Sequence, residues 1–239
     1  MSADGVRAVV VAGAGDAAAR DRQDRVPDSL AALERQTVRP AGLLVARRSR
    51  GGTTAPGVAP PDDGAAWVWL IDSGVAPQAT ALQRLLEAVE RISPLARPAL
   101  MAGKVVTPEG RPDPGSLPIP SVSDPELAVT AFDRHLLALR AARSGSLLVD
   151  RRAFDRLGPP RAGGLEWSGR LLRDRAGFLE PASVAVRHPM DPRGERERRR
   201  VSLLDWVRLL AGSALDPRER PWFAFRLGEE AIGALRDRA

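Results

Sequence analysis

Apolar and polar positions fall in short blocks along this chain, each closed by Gly, Pro or charge, and the blocks switch between the periods of strand and helix. Val6 to Ala12 is an apolar, β-branched run and predicts a buried strand. Pro27, Asp28 and Ser29 open a helix that continues through Leu30, Leu33 and Gln36, and Arg39-Pro40 closes it. Leu43 to Ala46 is the second strand. The organising stretch is Trp67-Val68-Trp69-Leu70-Ile71-Asp72-Ser73-Gly74-Val75-Ala76-Pro77. It reads as a buried strand that ends on a carboxylate and turns through Ser-Gly into a Pro-started helix over 78–91. Leu82, Leu85, Leu86 and Val89 mark one face of that helix.

Residues 98–106 then predict a strand, and 108–125, dense in Pro and Gly, a mobile or extended loop. An amphipathic helix is expected over 126–143, a strand over 145–149, a short helix over 152–157, and a loop running into a helix over 163–175. Phe178 to Val186 reads as a strand ending at His188. From Met190 the character changes to a charged run, Glu195 to Arg200, and then Trp-bearing amphipathic helices to Ala239. The alternation predicts an α/β fold, a mostly parallel central sheet flanked by helices, over 1–190, with a helical extension over 191–239.

Composition narrows the function classes. At 239 residues and 44% apolar content the chain can bury a full core. The net charge of +6 is carried by arginine, Lys104 being the single lysine, and it is interleaved with acids, which does not point to nucleic acid. With no cysteine there is no disulfide framework and no thiolate metal site, and two histidines, His135 and His188, make no histidine-rich cluster. No run approaches the ~20 apolar residues of a membrane span. Acidic Asp4 stands where a leader would be basic, so a cytoplasmic protein is expected.

Four places carry candidate chemistry. Gly13-Ala14-Gly15-Asp16-Ala17-Ala18 after the first strand, with Arg47, Arg48 and Arg50 after the second, imitates an NADP-binding half. Against it, the helix starts only at Pro27, whereas a pyrophosphate site needs the helix N-terminus beside the glycine turn. Asp72 lies where α/β sheets place ligands, and its plainer role is a turn or helix-cap aspartate. Glu166, before Trp167 and Ser168, suits a general base, though exposed glutamates are far commoner. His188 follows an apolar strand, and a lone histidine is more often structural than a ligand.

Taken in order, these segments resemble the inverting family-2 glycosyltransferases of GT-A fold. Ser29-Leu30 with Gln36-Thr37 and Pro40 is similar to that family's opening phrase. Trp69 to Pro77, with Leu82, Leu85 and Leu86, lies where the family has an Asp-Asp-Asp phrase, a Pro and a Leu-rich helix. Gly103-Lys104-Val105-Val106 continues the pattern. Leu147-Leu148-Val149-Asp150-Arg151-Arg152-Ala153-Phe154 is similar to its acceptor-side segment. Arg173 to Phe178, then Val184 to Pro189, match its closing helix, strand and histidine. The resemblance covers residues 6 to 190, and the galactofuranosyl- and rhamnosyl-type enzymes of cell-envelope polysaccharide synthesis look closest.

The resemblance implies transfer of a sugar from a nucleotide-sugar donor to a sugar or lipid-linked acceptor with inversion. It implies a divalent cation, Mg or Mn, on Asp72 and His188, a diphosphate contact from Asp72, and Glu166 as base; Ser73, Arg47 and Arg48 are this chain's own further candidates for the diphosphate. Departures accompany it. Gly74 stands at the second metal-binding aspartate, Gly13-Ala14-Gly15 replaces the base-binding phrase, and Ala46-Arg47-Arg48 replaces a nucleoside-binding aspartate. One carboxylate and one imidazole are a thin cage for Mg²⁺. The arginines then offer metal-independent neutralisation of the diphosphate, and a catalytically silent binding or scaffold protein is the other reading. The extension, with Arg196, Arg198, Arg199 and Arg200 before Trp206, suits either peripheral contact with an anionic membrane or packing on the domain or in a homodimer through 195–239.

Overall fold

The computed structural model describes residues 5–12, 25–47, 64–95, 97–113, 116, 118–121, 125–143, 145–160, 164–189, 203–212, 214–215, 217–225 and 227–228. The Gly13–Ala18 motif, Arg48, Arg50, residues 53–63 and the charged run over 195–200 lie outside them, as does the side chain of Arg47.

Nine strands form one sheet: β1 (Val6–Ala12), β2 (Gly42–Arg47), β3 (Trp67–Asp72), β4 (Val75–Pro77), β5 (Leu100–Val106), β6 (Ile119–Pro120), β7 (Leu137–Ala141), β8 (Ser146–Asp150) and β9 (Gly177–Arg187). Their order is β2-β1-β3-β8-β5-β9-β7-β6, with β4 paired to β9. β1 is parallel to β2 and β3, and β5 is parallel to β9; β8 runs antiparallel between β3 and β5, so all five of those strands point one way. The helices are α1 (Val26–Glu34), α2 (Ala81–Ile92), α3 (Pro125–Phe132), α4 (Arg151–Leu157) and α5 (Leu165–Leu171), followed by α6 over 203–211 and α7 over 220–225.

The period-2 geometry of the strands divides the core. Val6, Ala8, Val10, Trp67, Trp69 and Ile71 face α1 and α2, where they meet Leu33, Leu82, Leu85, Val89 and Ile92. Val9, Val11, Val68 and Leu70 belong to the opposite face, with Ala153 and Phe154 of α4 and Trp167 and Leu171 of α5. Helices therefore cover both faces, as a sheet with continuous apolar strands requires. A third cluster joins Trp206, Leu209, Ala214, Leu215 and Phe223 to Ile119, Ala141 and Leu165, so the apolar side of α6 is spent on β7 and α5.

Three expectations are corrected. Pro77 does not start a helix: it ends the short strand β4, and α2 begins at Ala81. The helix expected over 126–143 stops at Phe132, His135 takes a left-handed φ of 58°, and Leu137–Ala141 becomes a strand because β9 and β6 offer it hydrogen-bonding partners. The 108–125 stretch is not simply an extended loop. Thr107 N–H donates to Arg111 O at 2.7 Å, Asp113 N–H donates to Val105 O at 3.0 Å, and Ile119–Pro120 joins the sheet.

Candidate functional site

The carboxyl ends of β3 and β9 meet at one turn. Asp72 N–H donates to Gly145 O at 3.1 Å, and Ser73 N–H donates to Val11 O at 3.1 Å, which seats the turn between β1 and β8. Asp72 Oδ1 accepts from Gly74 N–H at 2.8 Å, and Gly74 O accepts from His188 N–H at 2.9 Å. Asp72 and His188, far apart in sequence, are thus drawn to the two sides of Gly74.

Ser29 of α1 holds this turn, and Gln36, two residues past the end of α1, holds the segment after it. Ser29 is fully buried, and its hydroxyl lies 3.1 Å from Ser73 O and 2.9 Å from Val75 O. Gln36 Nε2 donates to Gln78 O at 2.7 Å and its Oε1 accepts from Leu82 N–H at 3.1 Å, which fixes the start of α2. Ser73 itself is fully buried, and among the described residues its Oγ has no hydrogen-bond partner. Leaving a buried hydroxyl unmatched costs about 1–3 kcal/mol. Arg47 ends β2 opposite Ala12, which places the Arg47 backbone about 10 Å, two strand spacings, from the Ser73 turn.

Sequence reasoning missed two members of the site, Arg187 and Asp113. Arg187 is buried; its Nε donates to Asp113 Oδ2 at 2.8 Å and its Nη2 to Ser116 Oγ at 2.7 Å. Ser116 Oγ donates in turn to Asp113 Oδ2 at 2.6 Å. A Cβ added at Gly74 would lie 3.1 Å from Arg187 Nη1 and 3.3 Å from Asp72 Oδ1. The only sequence signal was phase: Arg187 shares the buried register of Ser183 and Ala185 in β9.

Glu166 lies elsewhere on the sheet. It sits in the first turn of α5, with Oε1 3.7 Å from Arg170 Nε, and lines a cavity of about 330 Å³ with Trp167, Arg170, Asp205, Arg208 and Gly212. Among the described residues it makes no hydrogen bond or ion pair with Asp72 or His188. One short segment spans the gap: Ala142 exchanges two hydrogen bonds with Ser168 Oγ of α5, and three residues on, Gly145 O holds Asp72. Asp205, also missed, accepts from Leu165 N–H at 2.7 Å. Its carboxyl is pushed up to about 6, chiefly by burial, against the lowering effect of the Leu165 amide, Arg143, the Glu166 amide and Arg208.

No protein-family model and no curated protein sequence matches the chain. In shape it is similar to S. aureus TarS, with a TM-score of 0.53 at 9% identity over 96% of this chain and 43% of that one. It is also similar to GalNAc-T7, solved with UDP, GalNAc and Mn²⁺, with a TM-score of 0.51 at 11% identity over 93% of this chain and 55% of that one. Both neighbours are glycosyltransferases of GT-A fold. The fold is GT-A-like. The chain spans about half the length of these neighbours.

The divalent ion in one neighbour prompts a test of fit. Among the described residues no group of three or more His, Cys, Asp or Glu can hold a metal. At the turn itself Gly74 contributes no carboxylate, and the Arg187 guanidinium faces the space where one would project. One carboxylate and one imidazole are too few oxygen ligands for a Mg²⁺ or Mn²⁺ centre, and the residues described there do not fit one. No described helix is long and apolar enough to cross a membrane.

Proposed function

We propose that the chain binds a nucleotide-sugar at the carboxyl ends of β1, β2 and β3 and transfers the sugar to an acceptor hydroxyl. The observation that supports this reading is the turn at Gly74, which ties Asp72 and the His188 backbone together at the carboxyl end of β3, the end at which open α/β sheets bind ligands. The fold alone would not suffice.

In this reading Asp72 and Ser73 orient the donor, and Arg47 and Arg48 offset the charge of its diphosphate. Glu166 removes the acceptor hydroxyl proton. The freed oxygen attacks the anomeric carbon as its bond to the diphosphate oxygen breaks, so the configuration inverts and a nucleoside diphosphate leaves. The cavity beside Glu166, with Trp167 and Arg170, is then the acceptor side. A sugar or a lipid-linked sugar is the acceptor class, at the cytoplasmic face.

A second reading is a catalytically silent sugar- or nucleotide-binding scaffold. It is favoured by the engagement of Glu166 with Arg170, away from the Gly74 turn. Single-turnover release of nucleotide from labelled nucleotide-sugars, by wild type and Glu166→Gln, separates the two. Active transfer requires release that Glu166→Gln lowers by about 10²–10⁴-fold with donor affinity unchanged. Donor binding without any release leaves the scaffold.

A further inference from the structure

We propose that the Arg187 guanidinium is the built-in, pre-oriented hydrogen-bond donor of this site and that the chain holds a diphosphate without a metal ion. The inference rests on the nucleotide-sugar reading for its ligand and goes beyond it in naming the group that replaces the metal.

The geometry is a fixed guanidinium with one edge left over. Asp113 Oδ2 takes Nε and Ser116 Oγ takes Nη2, and both partners belong to the segment clipped to the end of β5. These two bonds fix the plane of the fork. The remaining nitrogen, Nη1, makes no hydrogen bond among the described residues and lies 3.1 Å from the point where a Gly74 side chain would begin. The side chain of Arg187 is nine-tenths buried, so the donor is ordered before any ligand arrives and little rotamer freedom remains to be lost.

Gly74 is the necessary partner of this arrangement. An acid there would project between Asp72 Oδ1 and Nη1 and take the free edge for itself. Glycine leaves the edge for an oxygen of the ligand. Asp113 offsets the charge of Arg187, so the ligand meets Nη1 as a directional, charge-assisted donor.

The test is calorimetric titration of the full chain with inorganic pyrophosphate and with UDP, GDP and dTDP, in EDTA and again in Mn²⁺. Binding in EDTA is expected, with Mn²⁺ changing the affinity less than twofold. Arg187→Gln should weaken it by about tenfold to a hundredfold, the value of one hydrogen bond to a charged group. Because that variant leaves Asp113 buried alone, Arg187→Gln/Asp113→Asn is measured beside it. Gly74→Asp leaves the Arg187–Asp113 pair intact and should cause the same loss. Nucleotide binding that requires Mn²⁺, or metal-free binding untouched by both Arg187→Gln and Gly74→Asp, overturns the inference and leaves the nucleotide reading standing. Pyrophosphate binding sensitive to Arg187 with no nucleotide bound sustains the inference and removes the nucleotide reading. Silence from every ligand removes both.

Discussion

Asp205 Oδ2 accepts the Leu165 N–H at 2.7 Å, so a carboxylate of α6 caps the first turn of α5 from 40 residues away. The contact is buried, and burial holds the Asp205 carboxyl at about 6. An acid whose folded value lies above its unfolded value binds its proton more tightly in the folded state. Its contribution to stability is therefore greatest below pH ~4 and is lost as pH rises through ~6. Asp205→Asn keeps a side-chain oxygen for Leu165 and removes the titration. Urea midpoints from pH 4 to 7 should show wild type losing roughly 2–3 kcal/mol relative to Asp205→Asn across that window. Parallel curves would show that this carboxyl does not titrate there.

The extension is locked to β7 by a buried ion pair. Arg140 Nε lies 2.9 Å from both Glu219 carboxylate oxygens, Nη1 donates to Gly169 O at 2.9 Å, and Nη2 donates to Ala214 O. Arg140→Ala strands a buried carboxylate and two carbonyls, and should cost about 3–5 kcal/mol. Hydrogen exchange should speed up first in α6 and α7. Uniform loss of protection over the whole sheet would contradict the placing of the lock.

Gln36 serves the site at one remove, by holding the start of α2 through Leu82 N–H. Gln36→Leu leaves that amide unmatched and removes one of two donors to Gln78 O, the other being Ala81 N–H, in a largely buried place, at a cost of about 1–3 kcal/mol. Gln36→Glu keeps the acceptor for Leu82, and its thermal midpoint should fall between those of wild type and Gln36→Leu. Equal loss in both variants would mean that the donor to Gln78 O matters more than the acceptor.

Membrane contact through α6 is limited by what its apolar face already does. Trp206 and Leu209 are buried against the domain, and Trp206 meets Phe223 edge-on at 5.9 Å; Leu204 and Val207 are the apolar side chains turned outward. Flotation with anionic liposomes should therefore be unaffected by Leu204→Ser/Val207→Ser. A loss of flotation in that variant would assign the outer face of α6 to the bilayer.

Most of the sheet was legible because its strands carry a local pattern. Val6–Ala12 is apolar but for Arg7, Trp67–Asp72 is apolar up to its closing aspartate, and α2 shows its leucines at helical spacing. Leu137–Ala141 was not legible, since Leu-Ala-Leu-Arg-Ala has high helix propensity and only tertiary pairing with β9 makes it a strand. The site was half legible. Asp72 ends, and His188 directly follows, a strand that sequence reveals, but the Arg187–Asp113 pair joins positions 74 residues apart with no pattern linking them. Arg187 was hidden further by Val184 and Val186, which suggest the opposite inward phase, although both are only half-buried.

Whether the turn at Gly74 receives a nucleotide-sugar is read most directly from thermal unfolding of the full chain against UDP, GDP, dTDP and their sugars. A ligand at a hundred times its Kd stabilises the folded state by about 2.7 kcal/mol, which is about 5–10 °C for a chain of this size. The account predicts such a rise for one nucleotide family, reduced or abolished in Asp72→Ala. If no nucleotide or nucleotide-sugar moves the transition, or if Asp72→Ala leaves the shift intact, the turn is not the donor site.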